Sequence, residues 1–243
     1  MIGVIDSGIG GLSTLYEILK LNPNCDYVYY LDSINNPYGS KSEEELKKIV
    51  FNNVIKLRKK GCKIIVLACN TATAICIDEL RTIFNDLIFV GAEPAIKTAC
   101  NATYKNILVL GTPLTVRSKR VNSLVERYKQ EKQNVILYAC KNLANIVEKR
   151  NILEVEKELN KIKKELNCCY DCIVLGCTHY CLIKEEIKKI LGIDAVIDGN
   201  KGIANRIKKL NPLEGQGYGE IILTDDKINL EEVKEILGSC KVC

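Results

Sequence analysis

Short apolar runs rich in valine and isoleucine recur along this chain, and amphipathic stretches separate most of them. Ile2–Ile5, Tyr27–Leu31, Ile64–Ala68, Ile88–Gly91, Ile107–Leu110, Val135–Tyr138, Ile173–Leu175 and Ala195–Ile197 have the length and β-branched content of strands. Helical spacing of apolar residues marks Leu12–Leu21, Ser42–Lys60, Ala74–Phe84, Thr115–Lys129 and Ile152–Leu166. A strand that is apolar at every position is covered on both faces, as in a parallel sheet flanked by helices. The expected fold class is therefore α/β with parallel-rich sheets.

Two of these runs carry nearly the same sentence. "IVLACNTA" (65–72) and "IVLGCTHY" (173–180) are each an apolar strand, a small residue, a cysteine and then polar residues. "GVIDS" (3–7) and "LVLGT" (108–112) repeat in the same way, each a strand that ends in a hydroxyl residue. The chain is thus expected to form two pseudo-symmetric α/β halves. In open parallel sheets, ligands bind beyond the carboxyl ends of the strands. If the halves face each other, a ligand between them has Cys69 on one side and Cys177 on the other.

Opposed thiols suit inversion at a carbon. One takes a proton from one face, the other returns a proton to the opposite face, and the roles exchange for the reverse reaction. A helix N-terminus beside each cysteine favours the thiolate. Asp6, at the end of the first strand, and His179, two residues after Cys177 and the only histidine in the chain, are candidates to tune the thiols.

Composition narrows the alternatives. The chain has 243 residues and a net charge of +5, but its lysines lie in runs such as "EVEKELNKIKKEL" (154–166), which read as solvated helix faces. Aromatic content is 6% with no tryptophan, so no nucleic-acid stacking surface is expected. No apolar run reaches the roughly 20 residues of a membrane helix, and the opening "IGVIDSG" does not read as a targeting segment. A cytoplasmic protein is expected, with its thirteen cysteines reduced and mostly serving as small buried hydrophobes. The C-x-x-C pairs Cys169/Cys172 and Cys240/Cys243 match no compact zinc module, so no metal is expected. "SGIGG" (7–11) lacks the spacing of a dinucleotide or P-loop motif and is expected to hold an anion such as a substrate carboxylate.

"IGVIDSGIGGLSTL" (2–15), "NPYGSKS" (36–42), "VLACNTATA" (66–74) and "VLGCTHY" (174–180) resemble, in order, the signature blocks of the glutamate racemase family. "VGAEPAIKTA" (90–99) and "VLGTPLTVRS" (109–118) are similar to two more. The resemblance covers almost the whole chain. It implies cofactor-independent interconversion of L- and D-glutamate for bacterial peptidoglycan, by a homodimer with its site between two α/β domains. It implies Cys69 and Cys177 as the acid/base thiols, acting on the D- and L-enantiomer respectively, assisted by Asp6 and His179. Ser7, Tyr38, Gly39, Asn70, Thr71 and Thr178, with Asp6 and His179, would hold the amino acid, and Glu148 in "NIVEKR" would line the site. The expected domains are 1–92 plus 200–243, and 93–199. Departures from the family pattern fall in loops: "DSINNPYG" lacks the usual arginine, Cys181 stands for a proline and Ala95 for a glycine. They bear on substrate choice more than on the thiols. A two-thiol racemase of aspartate or another acidic amino acid is the nearest alternative. A cysteine-rich metal or redox module, or an inactive homologue that only binds, are alternatives of another class.

Overall fold

The computed structural model describes residues 1–166, 169–210 and 215–240. The strands are β1 (Ile2–Asp6), β2 (Tyr27–Leu31), β3 (Ile64–Leu67), β4 (Ile88–Gly91), β5 (Asn106–Gly111), β6 (Asn134–Ala139), β7 (Cys172–Gly176), β8 (Val196–Ile197) and β9 (Gly219–Leu223). The helices are α1 (Leu12–Leu21), α2 (Glu43–Lys59), α3 (Asn70–Ile83), α4 (Ile96–Cys100), α5 (Pro113–Arg117), α6 (Lys119–Tyr128), α7 (Leu143–Glu148), α8 (Ile152–Glu165), α9 (Thr178–Cys181), α10 (Lys184–Leu191), α11 (Asn200–Leu210) and α12 (Leu230–Ser239).

One sheet has the order β4-β3-β1-β2-β9 and the other β6-β5-β7-β8. Every ladder is parallel. Read from its far edge, the second sheet runs β8-β7-β5-β6, which repeats β4-β3-β1-β2 strand for strand. The duplicated sequence is therefore a duplicated topology, and each cysteine-tipped strand (β3, β7) lies beside the strand that opens its half (β1, β5). The central strands are buried at every position, as their unbroken apolar runs require. Helices cover both faces, so each sheet has a separate apolar core on either side.

The late part of the chain returns to the first sheet. α11 packs on α1, and β9 pairs with β2 from Tyr27↔Gly219 to Leu31↔Leu223. β9 was not marked by the sequence because it is a half-buried edge strand rather than an apolar run. The single helix expected over 115–129 is two. Ser118 adopts an extended backbone and its hydroxyl accepts the Val121 N–H, so it caps α6 and ends α5. α3 starts at Asn70, four residues earlier than the pattern suggested. Most described cysteines are buried. Of the C-x-x-C pairs, Cys169 is exposed while Cys172 is buried in β7, and Cys243 lies outside the described residues. Among the described residues no group of three or more His, Cys, Asp or Glu side chains is arranged to hold a metal, and no helix is long and apolar enough to cross a membrane.

Candidate active site

The site is built where β1, β3 and β7 end. β1 delivers Asp6, which is fully buried. The Gly8 and Gly11 N–H groups donate to Asp6 Oδ2 at 3.2 and 3.0 Å, and the Thr178 hydroxyl reaches across from the other half to Asp6 Oδ1 at 3.2 Å. Burial raises the Asp6 pKa to about 6; the charge of His179 and the two backbone N–H groups pull the other way without cancelling it.

That shift has a signed consequence. An acid with a raised native pKa binds its proton more tightly folded than unfolded. Its contribution to stability is present at low pH and is lost as pH rises from about 4 to about 6. Wild type minus Asp6→Asn, measured by denaturant unfolding across this window, is expected to show a falling difference that totals about 3 kcal/mol at most.

Cys69 is the N-cap of α3 and Cys177 the N-cap of α9. They are 5% and 6% exposed, so bulk solvent scarcely reaches either sulfur. The two are close enough for the charge of one to act on the other. Burial pushes the Cys69 thiol up, the Asp6 carboxylate adds to this, and the Ala72 and Thr71 N–H groups at the start of α3 oppose it. Burial and Asp6 together favour the protonated thiol at Cys69.

The Cys177 side differs. His179 Nδ1 lies 3.8 Å from Cys177 Sγ, and His179 Nε2 lies 2.6 Å from Glu148 Oε2. Glu148 Oε2 also accepts the Ile9 N–H at 3.1 Å. Burial works against a charged imidazole, but Cys177 and Glu148 outweigh it and hold the His179 pKa well above its ordinary value. A histidine that favours its proton sits beside one sulfur and a buried aspartate beside the other.

The glycine turn allows this closeness. A Cβ at Gly10 would lie 2.4 Å from the His179 backbone nitrogen, and one at Gly8 would lie 2.3 Å from Glu148 Oε2. The expectation that this turn waits for a substrate anion needs correction: the N–H groups of Gly8, Ile9 and Gly11 are taken by the chain's own carboxylates, Asp6 and Glu148.

The remaining expected residues divide. Thr71, on α3, shares hydrogen bonds of 3.0 Å with both Thr112 and Thr115 from the other half. Gly39 packs against Thr112 so closely that a Cβ would sit 2.7 Å from the threonine Cβ. Ser7 and Asn70 follow directly after Asp6 and Cys69 and are buried. The Tyr38 hydroxyl is engaged by residues outside this group. It donates to Asp32 Oδ2 at 2.5 Å, and the Asn53 amide donates to the same carboxylate oxygen at 2.8 Å. The Tyr38 hydroxyl is thus committed to holding its own loop.

Thr112, Thr115 and Asp32 were missed from the sequence. Thr112 had a signal: it follows β5 as Ser7 follows β1, so the repeat itself marked the position. Asp32 had none, because Asn53 reaches it from α2, 21 residues away.

The chain is similar to several known proteins. Residues 21–207 match the family model described as Asp/Glu/Hydantoin racemase. A glutamate racemase of Clostridium novyi (strain NT) is 43% identical, over 98% of this chain and 96% of that protein. Among solved structures, the glutamate racemase of Aquifex pyrophilus superposes with a TM-score of 0.81 at 34% identity, covering 98% of this chain and 94% of that one. The Escherichia coli glutamate racemase, solved in complex with L-glutamate and the activator UDP-MurNAc-ala, gives 0.83 at 26% identity with coverages of 98% and 94%.

Proposed function

The chain belongs to the Asp/Glu/hydantoin racemase family, whose members are isomerases, and on that premise we propose that it interconverts L- and D-glutamate by proton transfer between two thiols. The observation that carries this is the pair of buried cysteines at equivalent helix starts, one in each half. The name of the Clostridium novyi relative, a glutamate racemase 43% identical over nearly all of both chains, supports the choice of glutamate as substrate. In this scheme residues 1–92 with 200–243 form one lobe and 93–199 the other.

From L-glutamate, the Cys177 thiolate takes the Cα proton and becomes a thiol. The electron pair left on Cα then takes the proton of the Cys69 thiol from the opposite face, giving D-glutamate and a Cys69 thiolate. The surroundings suit this direction, since burial favours the proton on Cys69 and the His179 ring lies 3.8 Å from Cys177 Sγ. The D-to-L direction uses the reverse: Cys69 as base, with Asp6 nearby, and Cys177 as acid. The Cα–H bond is weakly acidic, so the site has to stabilise a carbanion-like state with fixed donors in a cavity closed to water. Ser7, Asn70, Thr71 and Thr178 supply such donors at the strand ends, with Gly39 and the backbone of Tyr38 beside them. The chemistry asks for no cofactor or metal. A cytoplasmic homodimer supplying D-glutamate for peptidoglycan completes the proposal.

The test is a panel of acidic and neutral amino acids, incubated with reduced protein and no additive and read by chiral chromatography. Glutamate is expected to racemise at least tenfold faster than aspartate. Aspartate as the faster substrate overturns the assignment of glutamate, and no turnover of any member overturns catalysis.

A further inference from the structure

The Glu148 carboxylate links the His179 ring to the Ile9 N–H in the first lobe's glycine turn, and what holds it there lies two residues further on. Arg150 ends the segment that leaves α7, and it has a φ of +55°, a left-handed conformation that a bulky residue adopts only under constraint. Its guanidinium pairs with Glu232 in the first turn of α12. Glu232 is itself fixed, because it closes a capping box with Asn229 at the start of that helix. α12 packs on α1, so it belongs to the same lobe as the Ile9 N–H that Glu148 grips. Residues 148–150 therefore bridge the lobes twice within three positions.

The bridge matters because Glu148 has somewhere else to go. A cavity of about 310 Å³ opens beside it, lined by Ile9, Asn36, Asn145, Glu148, Lys149 and Lys227 among others. The two lysines are alternative partners for the carboxylate if the end of α7 shifts. The titratable groups that act on His179, or on which it acts, include Cys177, Glu148 and Asp6. Of these, Glu148 is the one whose backbone depends on the bridge.

We infer that Arg150 is a positioning residue: its ion pair with Glu232 pins the end of α7 to the C-terminal helix and keeps Glu148 between the Ile9 N–H and His179. The pair is partly exposed, with side chains 45% and 27% accessible, and contributes little to overall stability. Its effect is local geometry, transmitted to the Cys177 side of the site. The kinetic part of this inference rests on the racemase proposal, while the structural part does not.

The chain's single histidine makes the test direct, since one imidazole signal in an NMR titration is His179. Arg150→Gly accepts the left-handed backbone, and Glu232→Gln keeps a side-chain oxygen for the Asn229 N–H, so both preserve the fold. In wild type His179 is expected to titrate well above the ordinary range, and in both variants its midpoint is expected to fall. The direction in Arg150→Gly is diagnostic. Removing a cation without moving Glu148 would raise the midpoint, while releasing Glu148 lowers it. The double variant should fall no further than the larger single effect, and Lys149→Ala, which removes a cation without breaking the bridge, should not lower the midpoint. In racemisation assays both variants should lose roughly tenfold in kcat with KM within about twofold. An unmoved or raised midpoint in Arg150→Gly, or a fall in Lys149→Ala equal to it, overturns the inference. Wild-type protein that fails to racemise glutamate overturns the assigned activity, and the titration still decides the role of Arg150.

Discussion

Cys69→Ser and Cys177→Ser are each expected to lower glutamate racemisation by about 10³-fold or more. Serine fits the space of cysteine, and both positions cap helices, where a hydroxyl is favoured, so the fold is retained. What is lost is the acid/base partner: a buried hydroxyl gives up its proton far less readily than a thiol. The losses should also be one-sided. In Cys69→Ser the Cys177 thiolate still reaches the Cα proton of L-glutamate and hands back a solvent-derived proton on the same face. The variant should therefore exchange the Cα proton of L-glutamate while forming little D-glutamate, and Cys177→Ser should do the same for D-glutamate. Proton NMR of each enantiomer in deuterium oxide, beside chiral chromatography, measures both. A serine variant that racemises like wild type would remove that cysteine from the mechanism.

Gly10→Ala is expected to lower kcat/KM about 10²-fold with no change in any polar side chain. An added Cβ would lie 2.4 Å from the His179 backbone nitrogen and 2.7 Å from the Thr178 carbonyl carbon. Neither backbone atom can swing aside as a long side chain would, so the lobes have to part. The Thr178–Asp6 hydrogen bond and the Glu148–Ile9 hydrogen bond cross the same seam and would both lengthen. Overpacking of this kind also costs about 1–3 kcal/mol of stability, measurable by denaturant unfolding. Gly8→Ala is a milder case, since its Cβ meets the carboxylate end of Glu148, which can rotate away at the expense of His179. Equal activity in Gly10→Ala and wild type would mean that the lobes do not work at the separation seen here.

The sequence carried the sheets well because their strands are apolar at every position and separated by amphipathic helices. It carried the repeat, and with it the placement of Cys69 and Cys177 at equivalent helix starts. It did not carry the edge strand β9, whose half-buried residues give no continuous apolar run. Nor did it reveal the break at Ser118, where a helical pattern runs through a residue that prefers to cap. In the site, Glu148 was placed by resemblance alone, and only the fold brings it from α7 to His179, 31 residues away. Asp32 and the Arg150–Glu232 pair depend on contacts between distant segments, which no local pattern encodes. The glycine turn was legible as a turn, but its N–H groups proved to serve carboxylates from within the chain.

The halves repeat in topology but not in electrostatics. Cys69 has a buried carboxylate as its neighbour and no histidine, while Cys177 has the His179–Glu148 line. In the proposed mechanism this asymmetry gives each thiol a distinct role, although the proposed reaction runs in both directions. Two thiols on opposite faces should exchange no proton between them within a single turnover, and that is open to direct observation. L-Glutamate, protiated at Cα, would be incubated with reduced wild-type protein in deuterium oxide without additive, and both enantiomers analysed by chiral separation and mass spectrometry at less than a tenth of equilibrium. The account predicts that D-glutamate carries deuterium at Cα from the first turnover while the remaining L-glutamate stays protiated. D-Glutamate that retains the original proton would show one base serving both faces, and would contradict it.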